Sequence, residues 1–488
     1  MTAFGILDYG AYLPRRRCPR ASILDAVGWA QPGLKALAKG ERSFAAWDED
    51  AVTMAVEAAR GATAGADTSP ELLCFATTTA PFLDRQNAGI IAAALDLPQA
   101  TQTMDMGGSQ RAASSALINA WRQRPVSSLV VAADTRPTQA ASVMEMLSGD
   151  GAAAFRLGEG TPLAVIEAHA CVQADIVDHY RTAGTETDYV LEERWYRDMG
   201  LARLAPAAVS PLLDQAQITA DDVDHLIAPL ANPALARAVA KSLGVDAARI
   251  ADSLFDRVGH TGTAHALLML AGVLDTAAPG DRILITAFGQ GCDAVLLRVT
   301  DAIADAPRRR LARWLGDRHV EDNYMKFLAA RGVVDLDWGM RAERDNRTAH
   351  TVAYNKSRDT YGLVGGYCRA CGTPQYPRSR RCVAPDCGKL DTQDSYGFSE
   401  RSGTVKSFTE DWMAFTREPP LIYGNVSFTG GGNILMEMCD FAPGAVSIGT
   451  EVEMRFRIKD FDQARGFRRY FWKAAPAQTD TQRGDRHG

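Results

Sequence analysis

Four of the nine cysteines stand in two close pairs, Cys368-Arg-Ala-Cys371 and Cys382-Val-Ala-Pro-Asp-Cys387, each followed by glycine. Two thiolate pairs on separate knuckles supply the tetrahedral shell that Zn²⁺ favours, and four sulfurs leave no position open for chemistry. Cys368, Cys371, Cys382 and Cys387 are therefore expected to hold a structural zinc. Glycine after the second cysteine of each pair permits the tight turn that aims backbone N–H groups at sulfur. A second set of reactive groups is more dispersed. Gly107-Gly-Ser109-Gln110-Arg111 opens a run of small residues reaching Gln123, and Gly259-His260-Thr-Gly262 opens another reaching Leu274. Aligning Ala116-Leu117 with Ala266-Leu267 puts Gln110 opposite His260. An amide and an imidazole at two helix entrances, beside the free N–H groups of the first turns, could stabilise a developing oxyanion and move a proton.

Those entrances need a scaffold, and the chain predicts a duplicated one. A strand over 72–77, a helix over 86–95, a strand over 101–106, the small-sided helix 111–123 and a strand over 128–134 form one series. A strand over 225–228, a helix over 233–243, the small-sided run to Leu274 and a strand over 282–288 form the other. Repetition on this scale indicates internal duplication, and each half reads as α/β with a mainly parallel sheet. Helices with so small a surface can be buried on all sides against each other. An amphipathic helix with acids in its first turn is predicted from Asp48 to Arg60.

At 488 residues the chain is expected to hold two or three domains. A content of 46% hydrophobic and 23% charged residues belongs to the soluble globular class. A net charge of −6 argues against a general nucleic-acid binder. No apolar run is long enough to span a bilayer, and the first residues lack the build of a secretory signal. An odd number of cysteines rules out a complete set of internal disulfides, and metal-type pairs suit a reducing, cytoplasmic setting.

Gly10-Ala-Tyr-Leu-Pro14, Glu49-Asp-Ala-Val52, Asp105-Met-Gly-Gly-Ser-Gln110 and Pro279-Gly-Asp-Arg-Ile-Leu-Ile285 follow one another in an order found in one group of enzymes. On these motifs the first three hundred residues resemble the thiolase superfamily, in the branch of 3-hydroxy-3-methylglutaryl-CoA synthase and ketoacyl synthase III. The resemblance implies a five-layer αβαβα fold with halves at about 1–165 and 166–300, a homodimer, and a pantetheine tunnel reaching the central helix ends. It implies coenzyme A as substrate or co-substrate, carrying an acyl, β-keto or β-hydroxy acid group. It also exposes departures. In the resembled enzymes a cysteine begins the first central helix and its thiolate takes the acyl group; that position is Gln110 here. Their histidine, in a His-x-x-Asn pattern, falls on Pro229, with Asn232 matching the asparagine. His260 stands where an asparagine usually opens the second central helix, and the synthase's acidic residue falls near Thr78.

The residues leave three readings open. In the first, no acyl-enzyme forms. Gln110 and nearby backbone N–H groups hold a thioester oxygen while an enolate develops, His260 or His265 carries the proton, and Asn232 assists. That chemistry suits retro-aldol, retro-Claisen or decarboxylation steps; among the resembled enzymes, some with Gln for Cys decarboxylate malonyl thioesters. In the second, Ser109 is the nucleophile with His260 as its base, although Gly-Gly-Ser is also helix-capping sequence. In the third, the site is inactive and this half is a scaffold that hands acyl-CoA to a partner enzyme in a pathway complex. His265, five residues beyond His260, is predicted to face elsewhere on the helix. Arg15, Arg16 and Arg17 read as a solvated loop, or, for Arg16 and Arg17, as phosphate contacts for a nucleotide-bearing substrate. Cys292 reads as a buried small hydrophobe, and Asp134 and Asp150 as turn-setting residues.

After residue 300 the composition changes. Residues 301–362 read as a charged helical linker, with helices at 311–315 and 324–331 whose charges are expected to be solvated. A rubredoxin-like zinc ribbon spans 363–392. Five short strands, at 403–409, 421–428, 433–441, 451–459 and 466–473, suggest a small OB-type β-barrel over 393–475, with Tyr470, Phe471 and Trp472 alternating between its faces. Residues 476–488 read as a disordered tail. Ribbon followed by barrel resembles the acyl-CoA-associated domains fused to, or complexed with, thiolase-like enzymes. No basic groove with interleaved aromatics points to nucleic acid.

Overall fold

A computed structural model describes residues 3–307, 309–343, 346–347 and 349–477. From residue 478 onward the expected tail lies outside them. The chain divides into two compact units: residues up to 46, 50–89 and 99–334 form one, and 47–49, 90–98 and 335 onward form the other. The stretch expected as a linker, 301–362, is divided between them.

The first unit is built on a nine-stranded sheet. Its strands are β1 (Ala3–Tyr12), β2 (Leu72–Ala76), β3 (Gln102–Met106), β4 (Ser128–Thr135), β5 (Asp150–Gly160), β6 (Ala164–Gln173), β7 (His225–Ile227), β8 (Arg282–Phe288) and β9 (Gly291–Val299). Across the sheet the first half runs β3-β2-β4-β5-β1 and the second β6-β9-β8-β7, joined where Ile6 faces Ala164. The outermost place in the second half is marked by Ile250, which bridges Leu226 in parallel. The duplication thus reappears as two strand sets in matching order. The sheet is mixed rather than mainly parallel. β5 returns antiparallel between β1 and β4, and β9 between β6 and β8. The two-residue turn Gly289-Gln290 can join only antiparallel neighbours, because a parallel pair needs a long crossover.

Among the helices of this unit are α1 (Ala51–Thr63), α2 (Ala112–Arg122), α3 (Ala202–Ala216), α4 (Pro233–Leu243) and α5 (His265–Leu274). α2 and α5 pack on each other and each touches strands of both halves; α1 lies on β1, β4 and β5, and α3 on β6, β8 and β9. The layers run helix, sheet, helix pair, sheet, helix. Small side chains permit the central pairing, and α5 is buried at every position except Gly272. α2 buries only one face, because Asn119, Trp121 and Arg122 interrupt its small surface. The predicted acids of α1 precede the helix instead of occupying its first turn. Asp50 is its cap, accepting from the Thr53 N–H at 3.0 Å while the Thr53 hydroxyl accepts from the Asp50 N–H at 2.8 Å.

Two further expectations about charge change. Arg16–Pro19 is a strand, not a solvated loop, paired with Glu41–Phe44 and His319–Val320. The helix ending at Ala330 is followed by Arg331, whose guanidinium is buried against Asp150 at 2.9 Å. Arg310 pairs with Asp8 at 2.9 Å and donates to the Gly61 carbonyl at 2.7 Å. Such long side chains carry their charge inward when a carboxylate waits there.

In the second unit, β10 (Val364–Cys368) lies between β11 (Pro374–Gln375) and β12 (Gln393–Gly397). Then β13 (Gly403–Asp411), β14 (Leu421–Phe428), β15 (Asn433–Glu437), β16 (Glu451–Asp462) and β17 (Phe467–Pro476) form a sheet in the order β15-β14-β13-β16-β17. Met438 and Ala474 bridge in parallel and bring the two outer edges together into a small barrel. Alternation along β17 buries Tyr470 and Trp472 and leaves Phe471 half-buried.

Candidate active site

Gln110 sits in the turn that leads into α2. His260 sits two residues before the tight helical turn Gly262–Ala264 that leads into α5. Both line one small cleft, with Ser114, Pro229, Gly262, Ala266, Ala287 and Phe288. Two buried carboxylates hold the walls. Asp134, at the end of β4, accepts from the N–H groups of Thr78 at 2.8 Å and Thr263 at 2.7 Å, and from the hydroxyls of Thr77, Thr78 and Thr79 at 2.9 Å each. It stitches the loop after β2 to the entrance of α5, a larger role than setting a turn. Gly262 has φ +59°, and a Cβ there would collide with the Asp134 carboxylate, so only glycine fits this approach. Asp293, in β9, accepts from Arg111 Nη1 at 2.6 Å, Ser114 Oγ at 2.8 Å and Ser115 Oγ at 2.7 Å, which fixes the first turn of α2.

The His260 ring donates from Nε2 to the Pro229 carbonyl at 3.0 Å, and its Nδ1 accepts from the Gly262 N–H at 3.2 Å. Burial lowers its pKa from an ordinary 6.5 to about 4, and nearby Arg136 and His179 act in the same direction against the Pro229 hydrogen bond. A neutral ring with both nitrogens engaged is a poor proton carrier. His265 is fully buried, and burial and the neighbouring His260 hold it well below the usual imidazole range. Its Nδ1 accepts from the Thr261 N–H at 3.3 Å. The two rings lie 4.3 Å apart, so His265 does not face elsewhere as predicted: His260 is bridged to Ser148 outside the helix, and α-helical spacing does not apply between it and His265.

Ser109 donates to the Gly289 carbonyl at 2.6 Å and accepts from the Arg111 N–H at 3.3 Å, as a turn residue does. Asn232 caps α4, accepting from the Ala234 N–H at 2.9 Å. Arg17 is 1% exposed and its guanidinium donates to the carbonyls of Pro14, Arg16 and Trp314. Arg16 approaches Glu321 at 3.9 Å. Of the residues expected at the site, the fold brings Gln110 and His260 to the cleft, with His265 stacked behind; Ser109, Asn232 and Arg17 are held by backbone groups.

One pair escapes sequence reasoning. His179 Nε2 lies 3.3 Å from Gln110 Nε2, and His179 Nδ1 lies 3.0 Å from the Asp178 carboxylate. Burial pushes the Asp178 carboxyl up, but the His179 hydrogen bond and charge outweigh it and hold the group below the usual carboxylate range. The short hairpin His179–Tyr180 with Tyr189–Val190 carries the pair. Asp188 anchors that hairpin by accepting from Arg136 and from Arg181 at 2.9 Å, while Arg181 also donates to the Thr78 carbonyl. The adjacent Asp-His in the sequence was the only signal, and it lies in a segment with no helical or strand period.

The four ribbon cysteines place their sulfurs within 4.8 Å of one another, with Cys368 and Cys387 at 3.9 Å and Cys371 and Cys382 at 3.5 Å. A tetrahedral zinc with Zn–S bonds of about 2.3 Å needs sulfurs about 3.8 Å apart, so these residues fit the ion. Gly372 at φ +76° and Gly388 at φ +55° make the turns that the spacing demanded. The Thr373 and Thr392 hydroxyls lie 3.2 Å and 3.1 Å from Cys371 and Cys368, positioned to support the sulfurs.

Residues 213–299 match the family described as 3-oxoacyl-[acyl-carrier-protein (ACP)] synthase III C terminal, and residues 356–392 match the ChsH2 rubredoxin-like zinc ribbon domain. The hydroxymethylglutaryl-CoA synthase of Aeropyrum pernix is 34% identical over 340 residues, covering 67% of this chain and 94% of the relative. That of Archaeoglobus fulgidus is 30% identical over 318 residues, covering 62% and 91%. Among solved structures, an HMG-CoA synthase complexed with CoA aligns with TM-score 0.60 at 18% identity, over 67% of this chain and 90% of that one. The 3-oxoacyl-(acyl carrier protein) synthase III of Pseudomonas aeruginosa aligns with TM-score 0.54 at 23% identity, over 61% and 98%. These two structural likenesses are likenesses of fold. Among the described residues, no helix is long and apolar enough to cross a membrane.

Proposed function

Because this chain belongs to the hydroxymethylglutaryl-CoA synthase family, acyltransferases of the thiolase superfamily, we propose that it binds an acyl-CoA and makes or breaks a carbon–carbon bond beside the thioester without first moving the acyl group to a cysteine. One observation carries this reading. Gln110 lines the cleft at the entrance of α2, where the resembled enzymes place their nucleophilic cysteine, and none of the residues lining the cleft bears a thiol. Cys292 lies in β9, where burial pushes its thiol up to about 12. An amide cannot accept an acyl group at a useful rate, but it can donate to an oxygen that gains charge, and one such donor is worth roughly 3 kcal/mol of barrier. The thioester oxygen beside Gln110 would therefore be stabilised as an enolate forms at the neighbouring carbon.

In this reading Ser109 and Asn232 serve as turn and cap, and His260 lines the cleft as a neutral ring with His265 stacked behind it. Coenzyme A as co-substrate is supported by the family and by the CoA-bound relative of the same fold. The OB-type reading of the barrel is supported by its strand order and its parallel closure at Met438–Ala474. We take the domains to be 1–300, 363–392 and 393–475, in a cytoplasmic homodimer; the zinc thiolates suit a reducing compartment, and light scattering of the purified protein would test the dimer.

The test uses acetyl-CoA and 3-hydroxy-3-methylglutaryl-CoA in heavy water. Deuterium entering the carbon next to the thioester, with no acyl group on the protein by intact mass, is the expected result. An acyl adduct on any side chain contradicts the non-covalent route. A protein that binds either thioester but exchanges no deuterium is a carrier serving a partner enzyme.

A further inference from the structure

We propose that His179 is the base of this site: its Nε2 takes the proton from the carbon next to the thioester and returns it in the reverse direction, while Asp178 positions the ring. This rests on the function proposed above and names the group that reading lacks. The site needs a proton carrier, and the position the resembled enzymes give to histidine is Pro229. His260 lines the cleft, but hydrogen bonds to Pro229 and Gly262 occupy both its nitrogens, and His265, outside the cleft lining, is fully buried behind it with Nδ1 held by the Thr261 N–H.

His179 differs in each respect. Its ring is partly open to solvent, with 15% of the side chain exposed. With Nδ1–H donating to Asp178 at 3.0 Å, the neutral ring turns the lone pair of Nε2 toward Gln110, 3.3 Å away, whose amide N–H donates to it. The carboxylate selects this tautomer and holds the ring's orientation toward the amide. A base therefore stands beside the amide that faces the thioester. The hairpin is held in place by Asp188, which is clamped between Arg136 and Arg181 and is 3% exposed in its side chain.

The step balances without any added reagent. The α C–H bond breaks, its proton goes to His179 Nε2, and its electron pair forms the carbon–carbon double bond of the enolate while the carbonyl π pair moves to oxygen. Protonation turns Nε2 from acceptor into donor. That removes the acceptor Gln110 had held and frees its N–H groups for the thioester oxygen as its charge grows. One proton transfer thus switches the amide from guarding the base to holding the oxyanion.

The experiment measures deuterium entry into acetyl-CoA and 3-hydroxy-3-methylglutaryl-CoA, alongside calorimetric binding of each thioester. His179→Ala should bind the thioesters as the parent does and lose exchange by at least about a hundredfold. Imidazole added to the buffer should restore part of the exchange, which a merely structural role would not allow. Asp178→Asn should lower exchange less and leave binding intact, and His179→Gln, which keeps the side-chain volume, guards against misfolding. Exchange in the parent that persists undiminished in both His179 variants overturns this inference alone. No exchange in the parent, with binding retained, overturns the underlying reading and this inference with it.

Discussion

The His260 ring donates from Nε2 to the carbonyl oxygen of Pro229 at 3.0 Å. Pro229 has no N–H of its own, and its carbonyl accepts the ring's N–H, which fixes the Nε2–H tautomer. The ring is held neutral, with burial lowering its pKa from 6.5 to about 4. The unfolded chain binds a proton at this residue before the folded chain does. The stabilisation is therefore complete above about pH 6.5 and is lost as pH falls toward about 4, at roughly 1 kcal/mol per pH unit between them. Urea unfolding at about pH 7.5 and about pH 4.5 should show a shallower loss of stability for His260→Gln, which cannot titrate. Parallel curves for the two proteins would refute this account of the ring.

Gln110 offers a direct chemical contrast. Gln110→Ala should bind acetyl-CoA normally and lose deuterium exchange by about 10²-fold to 10³-fold, the cost of one donor at a developing oxyanion. Gln110→Cys should place a thiol at a helix entrance, where acyl transfer from CoA is favoured. Intact mass after incubation with acetyl-CoA is expected to show an acetyl adduct on the cysteine variant and none on the parent. An unmodified cysteine variant would mean that the cleft does not bring the thioester to this residue.

Asp293 is buried and serves Arg111, Ser114 and Ser115 at once. Asp293→Ala leaves a partly buried guanidinium and two hydroxyls without their acceptor, and breaking such a pair costs about 3–5 kcal/mol. The midpoint of urea unfolding should fall accordingly. Because the same contacts fix the first turn of α2, exchange activity should fall as well in any fraction that remains folded. A stability change under about 1 kcal/mol would show that the cluster relaxes around the loss.

The ribbon predicts a metal dependence separate from the chemistry. The purified protein should carry about one zinc per chain, and Cys382→Ser should abolish it, because three sulfurs bind far more weakly than a closed four-sulfur shell. Hydrogen exchange should then rise across Val364–Gly397. Deuterium entry into acyl-CoA should persist where the first unit remains folded, since the closed zinc site presents no position to a substrate. Loss of exchange that follows zinc content in folded protein would contradict a structural role.

Legibility in the sequence followed the range over which each signal acts. The duplication was readable because strand and helix patterns repeat in order, and the ribbon because its ligands lie within twenty residues and metal geometry restricts their spacing. The return strands β5 and β9 were missed: Asp150 was read as a turn-setting residue, yet it opens β5, and Cys292 was read only as a buried small hydrophobe, yet it lies in β9. Arg17 was read as exposed because charge is usually solvated, whereas three backbone carbonyls receive it in the interior. His265 was turned the wrong way because a helical angle was applied across residues that precede the helix.

His179 and Gln110 lie 69 positions apart, and no local period links a hairpin to the turn before a helix. By itself the sequence determined the duplicated α/β pattern and the metal shell, since each depends on residue type and short spacing. Tertiary structure alone decided which histidine meets the amide. That choice turns on the buried anchoring of one hairpin by Asp188, a contact whose energy comes from burial and charge pairing between segments that composition cannot bring together.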